Sequence, residues 1–148
     1  MSELDAYTTV ANMQYILYHQ AHDLSKVAQL YTEDAHLTLQ MGCWGDLANR
    51  PALELDGRAN IDNYLHNTWQ GGVDPESAII HEMNFKRDGP LSYSTHCEVS
   101  QRRRNPDGEF RWNRLTKEDT FKLRVVGDGC KISEHKCVVV SCVPEAQE

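Results

Sequence analysis

The stretch Tyr18-His-Gln-Ala-His-Asp-Leu-Ser-Lys-Val-Ala-Gln-Leu-Tyr-Thr-Glu-Asp-Ala-His-Leu37 passes from helical to extended periodicity. Its start closes a helical pattern: Val10, Met13, Leu17, Ala21 and Leu24 recur at steps of three or four residues from about Leu4 to His22. Asp23 or Ser25 then caps a short second helix, Lys26 to Tyr31, by accepting from its first backbone N–H groups. Thr32-Glu33-Asp34 breaks the pattern, and His36-Leu37-Thr38-Leu39-Gln40 alternates as a strand. Two helices emptying into a strand set a helical layer against a sheet.

Working outward, Gly42 to Pro51 reads as a loop with an exposed Trp44. Asp56-Gly57 leads into a third helix with Ile61, Tyr64, Leu65 and Trp69 on one side. After Gly71-Gly72 come strand-like segments near 78–86, 91–103, 109–126 and 130–142. They are separated by Asp88-Gly89-Pro90, Asn105-Pro106-Asp107-Gly108 and Gly127-Asp128-Gly129, the turn residues of an antiparallel meander. The order α-α-β-α-β-β-β-β predicts one α+β domain over residues 1–148. Three N-terminal helices would cover a strongly curved antiparallel or mixed sheet, giving a cone with one deep pocket.

The chain of 148 residues can bury a core of its own, and its 40% hydrophobic and 25% charged residues are ordinary for a soluble globule. A net charge of −7 argues against general affinity for nucleic acid or an anionic membrane. Arg102-Arg103-Arg104 reads as a solvated hairpin end that discourages edge-to-edge pairing. No apolar run approaches the ~20 residues of a membrane span. The start, MSELDAYTT, lacks the basic and apolar regions of a signal peptide, so a cytoplasmic location is expected. Cys43, Cys97, Cys130, Cys137 and Cys142 show no CxxC spacing, which fits reduced thiols better than disulfides or zinc. His19 and His22 share a helix face at i, i+3 but have no evident third ligand, so no metal and no cofactor are expected. Nucleotide-binding, phosphate-loop, serine-hydrolase and HExxH spacings are all missing.

The opening stretch resembles the SnoaL-like and scytalone dehydratase-like branch of the nuclear transport factor 2-like superfamily. It has the family's aromatic residue, then Asp, then "LYTEDA" at the entry to the first strand. "ELDGRANIDNYL" (54–65) resembles the family's third helix, and "KEDTFKLRVVGDGCKI" (117–132) its late hairpin. Cys130 stands near where that hairpin has a tryptophan. The resemblance implies a cofactor-independent lyase or isomerase, of dehydratase or ketosteroid isomerase type, acting on a hydrophobic ring-containing molecule. A non-catalytic binding or assembly module, or an epoxide hydrolase or cyclase, is the alternative, because one fold hosts many functions. It also implies a homodimer packed through the sheet face, in keeping with a last strand apolar on both faces at Val138, Val139 and Val140.

Dehydratases of this branch set a helix-one tyrosine and an acid against strand histidines, and histidine exchanges protons near neutrality. Tyr18 resembles the tyrosine. His19 occupies the acid's place, with Asp23 as its replacement. His81 and His96 resemble the histidines. Glu118 and Thr120 lie near the late-strand polar pair, with the register leaving open which of Glu118, Asp119 and Thr120 faces the pocket. His96 faces inward only if Cys97 and Val99 pack outside. Trp69 and Trp112 are candidate pocket walls, whereas His36, His66 and His135 have no readable partner. Tyr15, Tyr18, Trp69, Phe85, Tyr93, Phe110 and Trp112 suit a flat, neutral or weakly anionic ring, and no phosphate cradle is visible.

Overall fold

The computed structural model describes residues 3–21, 23–41, 51–69, 79–104 and 107–145. His22, Trp44, most of the predicted 42–51 loop and Gly71-Gly72 lie outside the described residues, as does the side chain of Trp69. Helices α1 (Glu3–Gln20) and α2 (Leu24–Gln29) lead into strand β1 (Tyr31–Met41). The short strand β2 (Leu53–Asp56) precedes α3 (Arg58–Tyr64), which ends in a π-helical turn, Leu65–Trp69. Strands β3 (Ile79–Gly89), β4 (Ser92–Arg104), β5 (Phe110–Val126) and β6 (Gly129–Pro144) follow as consecutive hairpins. The predicted turns at Asp88-Gly89-Pro90 and Gly127-Asp128-Gly129 fall at the first and last of these hairpins, while Asn105 and Pro106 of the middle one lie outside the described residues. β2 adds a strand to the expected order: Leu53-Glu54-Leu55-Asp56 alternates as a strand should, but four residues are short beside the other strands.

The six strands form one sheet in the order β2-β1-β6-β5-β4-β3. Among the described residues only β1 and β6 run parallel, which makes the sheet mixed. Register shifts interrupt β5–β6 between Thr116 and Lys117 and between Lys122 and Leu123, and β3–β4 between Ile80 and Glu82. Such bulges bend long strands and increase their twist, so the sheet curls around its inner face. Asp23 caps α2 as expected, accepting from the Lys26 N–H at 3.2 Å. Gly57 opens α3 with φ 89°, a conformation L side chains resist, and its N–H donates to the Ala35 carbonyl at 2.7 Å.

The core lies between the helices and the inner face. Val27, Ala28 and Ile61 from the helices meet Tyr31, Leu37, Tyr93, Phe121 and Ile132 from the strands. A second cluster, Cys97, Val99, Leu115 and Val139, fills the inner face further along the sheet. One helix reads differently from its periodicity. Val10, Met13 and Leu17 are 48%, 55% and 57% exposed, and α1 instead buries Thr8, Ala11 and Asn12. The spacing is helical, but the apolar stripe faces outward. The inward threonine is used: Thr8 Oγ1 accepts from Arg87 Nε of β3 at 2.9 Å. All four described cysteines are free thiols. Among the described residues no helix is long and apolar enough to cross a membrane.

Candidate active site

Strand alternation decides which side chains meet under the helices. On β5 the inner positions include Lys117, Asp119 and Phe121, and on β6 they include His135, Cys137 and Val139. Tyr31 and Leu37 enter from β1, Tyr15 and His19 from α1, and Tyr64 and Leu65 from the end of α3. With Gln101 and Arg103 of β4 they enclose a cavity of 60 Å³. For scale, a cavity that holds one benzene ring measures about 150 Å³. The enclosed part therefore takes one end of a molecule, with the remainder at the mouth.

At its floor runs a buried polar chain. Asp119 Oδ1 lies 2.7 Å from His135 Nε2, and His135 Nδ1 lies 2.8 Å from the Tyr31 hydroxyl. Both His135 and Asp119 are almost wholly shielded from solvent. A carboxylate only accepts, so Nε2 carries the hydrogen and Nδ1 is free to accept the Tyr31 O–H. Phe121 stacks on the imidazole at 4.1 Å and Tyr15 meets its edge at 5.5 Å, which fixes the ring.

The electrostatics follow from burial and neighbours. Burial alone would push the Asp119 carboxyl up, but Lys117, the His135 bond and the Cys137 thiol together hold it below the usual carboxylate range. Burial opposes charge on Lys117, yet Cys137 and Asp119 outweigh it and keep the ammonium charged. Burial first, and then Asp119 among other neighbours, drives Tyr31 well above the ordinary phenol value, and burial does the same for Tyr15. Both phenols stay protonated and available as donors. The set is an anchored carboxylate, an imidazole with one basic nitrogen, and two phenols around a small space.

No protein-family model matches the chain, and no curated protein matches it by sequence. Solved structures do resemble it. A hexachlorocyclohexane dehydrochlorinase from Novosphingobium barchaimii superposes with a TM-score of 0.66 at 12% identity, over 97% of this chain and 91% of that one. A candidate polyketide cyclase from Xanthomonas campestris pv. campestris gives 0.68 at 15% identity, over 92% of each chain. A nuclear transport factor 2-like protein with a cystatin-like fold from Novosphingobium aromaticivorans gives 0.60 at 12% identity, over 93% and 82%.

The chain has the nuclear transport factor 2-like fold.

Within the nuclear transport factor 2-like fold, the residues expected to be catalytic do not converge. Cys97 and Val99 pack inside, which sends His96 to the outer face, where its Nδ1 bonds Glu118. His81 occupies the bulge between Ile80 and Glu82 and is exposed, with Nε2 2.7 Å from Ser100 Oγ. Asp23 serves as the α2 cap and lies 3.6 Å from Lys26 Nζ. Tyr18 packs half-buried against the core, with Lys26 Nζ 5.6 Å from its ring centre. Of the expected substrate-contacting residues, His19 lines the cavity, whereas Glu118 shares the outer face with His96. Thr120 lines a groove with His36 and Lys136 on that side, and Trp112 is off the cavity.

Asp119, one of the three late-strand residues whose facing the register leaves open, and His135, which has no readable partner in the sequence, are brought together instead. The missed signal was parity: His135 alternates in step with Cys137 and Val139, and Asp119 with Leu115 and Phe121, so each polar residue sits on the apolar face of its strand. Arg103 departs from the solvated reading in the same way. Arg102 and Arg104 stay exposed, with guanidiniums 6.0 and 5.2 Å from the Phe110 ring centre, while alternation turns Arg103 into the cavity. On the outer face, ligand atoms of Glu82, His96 and Glu98 lie within 4.8 Å of one another and could hold a cation, on the side of the sheet away from the cavity.

Proposed function

We propose that the cavity is a proton-transfer site of lyase or isomerase type, acting on a small organic molecule that presents a C–H beside a carbonyl. The observation that carries this is the buried chain Asp119–His135–Tyr31, which ends at the cavity. In the forward step the substrate C–H proton passes to the Tyr31 oxygen as the Tyr31 O–H proton passes to His135 Nδ1. The C–H electron pair becomes the enolate, and the imidazolium formed is held by the Asp119 carboxylate. No free phenolate is needed, which suits the raised Tyr31 pKa. Tyr15, kept protonated, can donate to the developing oxyanion. Return of the proton to a different carbon completes an isomerisation; departure of a β-substituent with its electron pair completes an elimination. Likeness to a dehydrochlorinase and a candidate cyclase supports this class of chemistry. The cavity size favours a substrate whose reacting end is compact.

The test is solvent-deuterium exchange into a panel of ketones, hydroxyketones and ring acids, followed by mass spectrometry. Exchange should fall by ~10²-fold or more in Asp119→Asn and His135→Gln, the usual scale for losing a general acid or base. Exchange that persists in the double variant would overturn the reading. Compounds that raise the melting temperature without exchanging would favour the non-catalytic binding module.

A further inference from the structure

We infer that the outer face of the sheet holds a divalent cation of the zinc type between Glu82, His96 and Glu98. Ligand atoms of the three lie within 4.8 Å of one another. Zinc draws nitrogen and oxygen donors to about 2.1 Å in a tetrahedron, so its ligands stand about 3.4 Å apart. Small side-chain rotations close that gap, and Glu82, on the edge strand β3, is exposed enough to make them. Local spacing gave His19 and His22 no third ligand; here strand pairing assembles the set. Glu82 is the direct partner of Glu98 across β3 and β4, and His96 stands two residues along the same face. The site is on the far side of the sheet from the cavity and does not rest on the proton-transfer reading.

Two observations beyond the three ligands point to a cation. The first is the register. Like charges directly opposite on neighbouring strands repel and weaken the pairing, and Glu82 stands in that relation to Glu98. Arg114 offsets part of the repulsion, with Nη2 3.3 Å from Glu98 Oε2, but its Nη1 also lies 3.8 Å from Glu145. Glu82 makes no ion pair among the described residues; its carboxylate accepts from Asn84 Nδ2 at 2.7 Å. The second is the support around the ligands. His96 Nδ1 bonds Glu118 of β5. A carboxylate only accepts, so Nδ1 carries the hydrogen and the lone pair sits on Nε2. Metal-bound histidines are held in this way, one nitrogen on the ion and the other donating to a carboxylate, and ligating carboxylates have hydrogen-bond partners of their own. Asn84 and Arg114 serve Glu82 and Glu98 in that role. An imidazole beside two carboxylates selects zinc over calcium and magnesium, which take oxygen donors. The bound ion pins the edge strand β3 to β4.

The experiment is a calorimetric titration of metal-stripped, untagged protein with zinc chloride near neutral pH, with calcium and magnesium chloride as oxygen-preferring comparisons. The proteins are the wild type, Glu82→Gln, His96→Gln, Glu98→Gln and Glu134→Gln, the last an outer-face acid paired with Lys122 instead. The wild type should bind one zinc ion and melt at a higher temperature with it, because a ligand confined to the folded state stabilises that state. Replacing even an outer partner of a metal ligand costs about 10–100-fold in affinity, so each of the three ligand variants should lose at least about tenfold. Glu134→Gln should bind as the wild type does. Cobalt(II) bound in place of zinc should show no thiolate-to-metal absorption, which separates this site from the cysteines. Glu82→Gln decides if another variant fails to fold, since its side chain is exposed. Zinc affinity unchanged in Glu82→Gln or His96→Gln, an equal loss in Glu134→Gln, thiolate absorption that accounts for the bound cobalt, or calcium held as tightly as zinc would overturn the inference.

Discussion

Asp119 and His135 sit on adjacent antiparallel strands without being cross-strand partners. Asp119 is paired with Cys137, and His135 with Phe121, so the 2.7 Å contact runs diagonally across the inner face. The diagonal leaves room for the Cys137 thiol to donate to the same carboxylate. It also turns His135 Nδ1 toward Tyr31 on the far side.

The three members of this chain should respond differently to conservative change. Tyr31→Phe keeps the ring and removes only the hydroxyl, so the fold should hold while turnover on the reactive panel members drops by ~10²-fold or more. His81→Ala, which touches only Ser100 among the contacts described, should act mildly by comparison. A large loss in His81→Ala beside an active His135→Gln would move the chemistry to the outer face.

Asp119 should couple stability to acid. Its folded pKa is depressed, so its ionised form adds stability that is fully present above the unfolded value of about 3.9 and fades as pH falls through the folded value. Asp119→Asn lacks that proton equilibrium. The stability gap between wild type and variant should be widest near neutrality and narrow below about pH 4. Thermal melts across that range check it, and a gap independent of pH would contradict the depressed pKa.

His96 should titrate above an ordinary histidine. The hydrogen bond to Glu118 raises its pKa, against a smaller opposing effect of burial. The sign for stability is the opposite of Asp119: the contribution is present below the ordinary value of about 6.5 and lost as pH rises through the folded value. An NMR titration of the imidazole should show the elevated midpoint, and Glu118→Gln should bring it down. A midpoint unmoved by that substitution would rule the pairing out in solution.

Phe121 should be the most costly ring to remove. It is stacked on Tyr93 at 4.5 Å and on His135 at 4.1 Å, with Tyr15 against it at 5.1 Å. Phe121→Ala should cost ~3–5 kcal/mol, and Phe121→Leu less, because more of the space stays filled. Urea unfolding of the two variants gives the comparison. Equal costs would mean that the stack, rather than the filled volume, sets the stability.

The element order was legible because helical and alternating periods are local. Glycine and aspartate turns marked the three hairpins within a residue or two. What faced the cavity was not legible, for a physical reason. A bulge adds one residue and reverses which alternate side chains point inward, and the two shifts against β5 put the extra residues in β6, at Ser133 and Val140, on either side of His135 and Cys137. Local text resembling a known family pointed to His96, whose neighbours Cys97 and Val99 in fact take the inner face. The α1 stripe misled similarly: Val10, Met13 and Leu17 gave the right period and the wrong side, because Thr8 is drawn inward by Arg87.

The π turn that ends α3 bears on how this cavity could be remodelled. A π-helical turn spends one residue more than an α turn over the same hydrogen-bonded loop. It lies immediately beyond Tyr64 and begins with Leu65, both part of the cavity wall. Exposed His66 and Asn67 within it are therefore candidates for single-residue deletion, which would let the turn rewind as α without touching β1, β5 or β6. The mouth of the cavity can then be retuned by changing the length of one helix end, independently of the proton-carrying residues on the sheet.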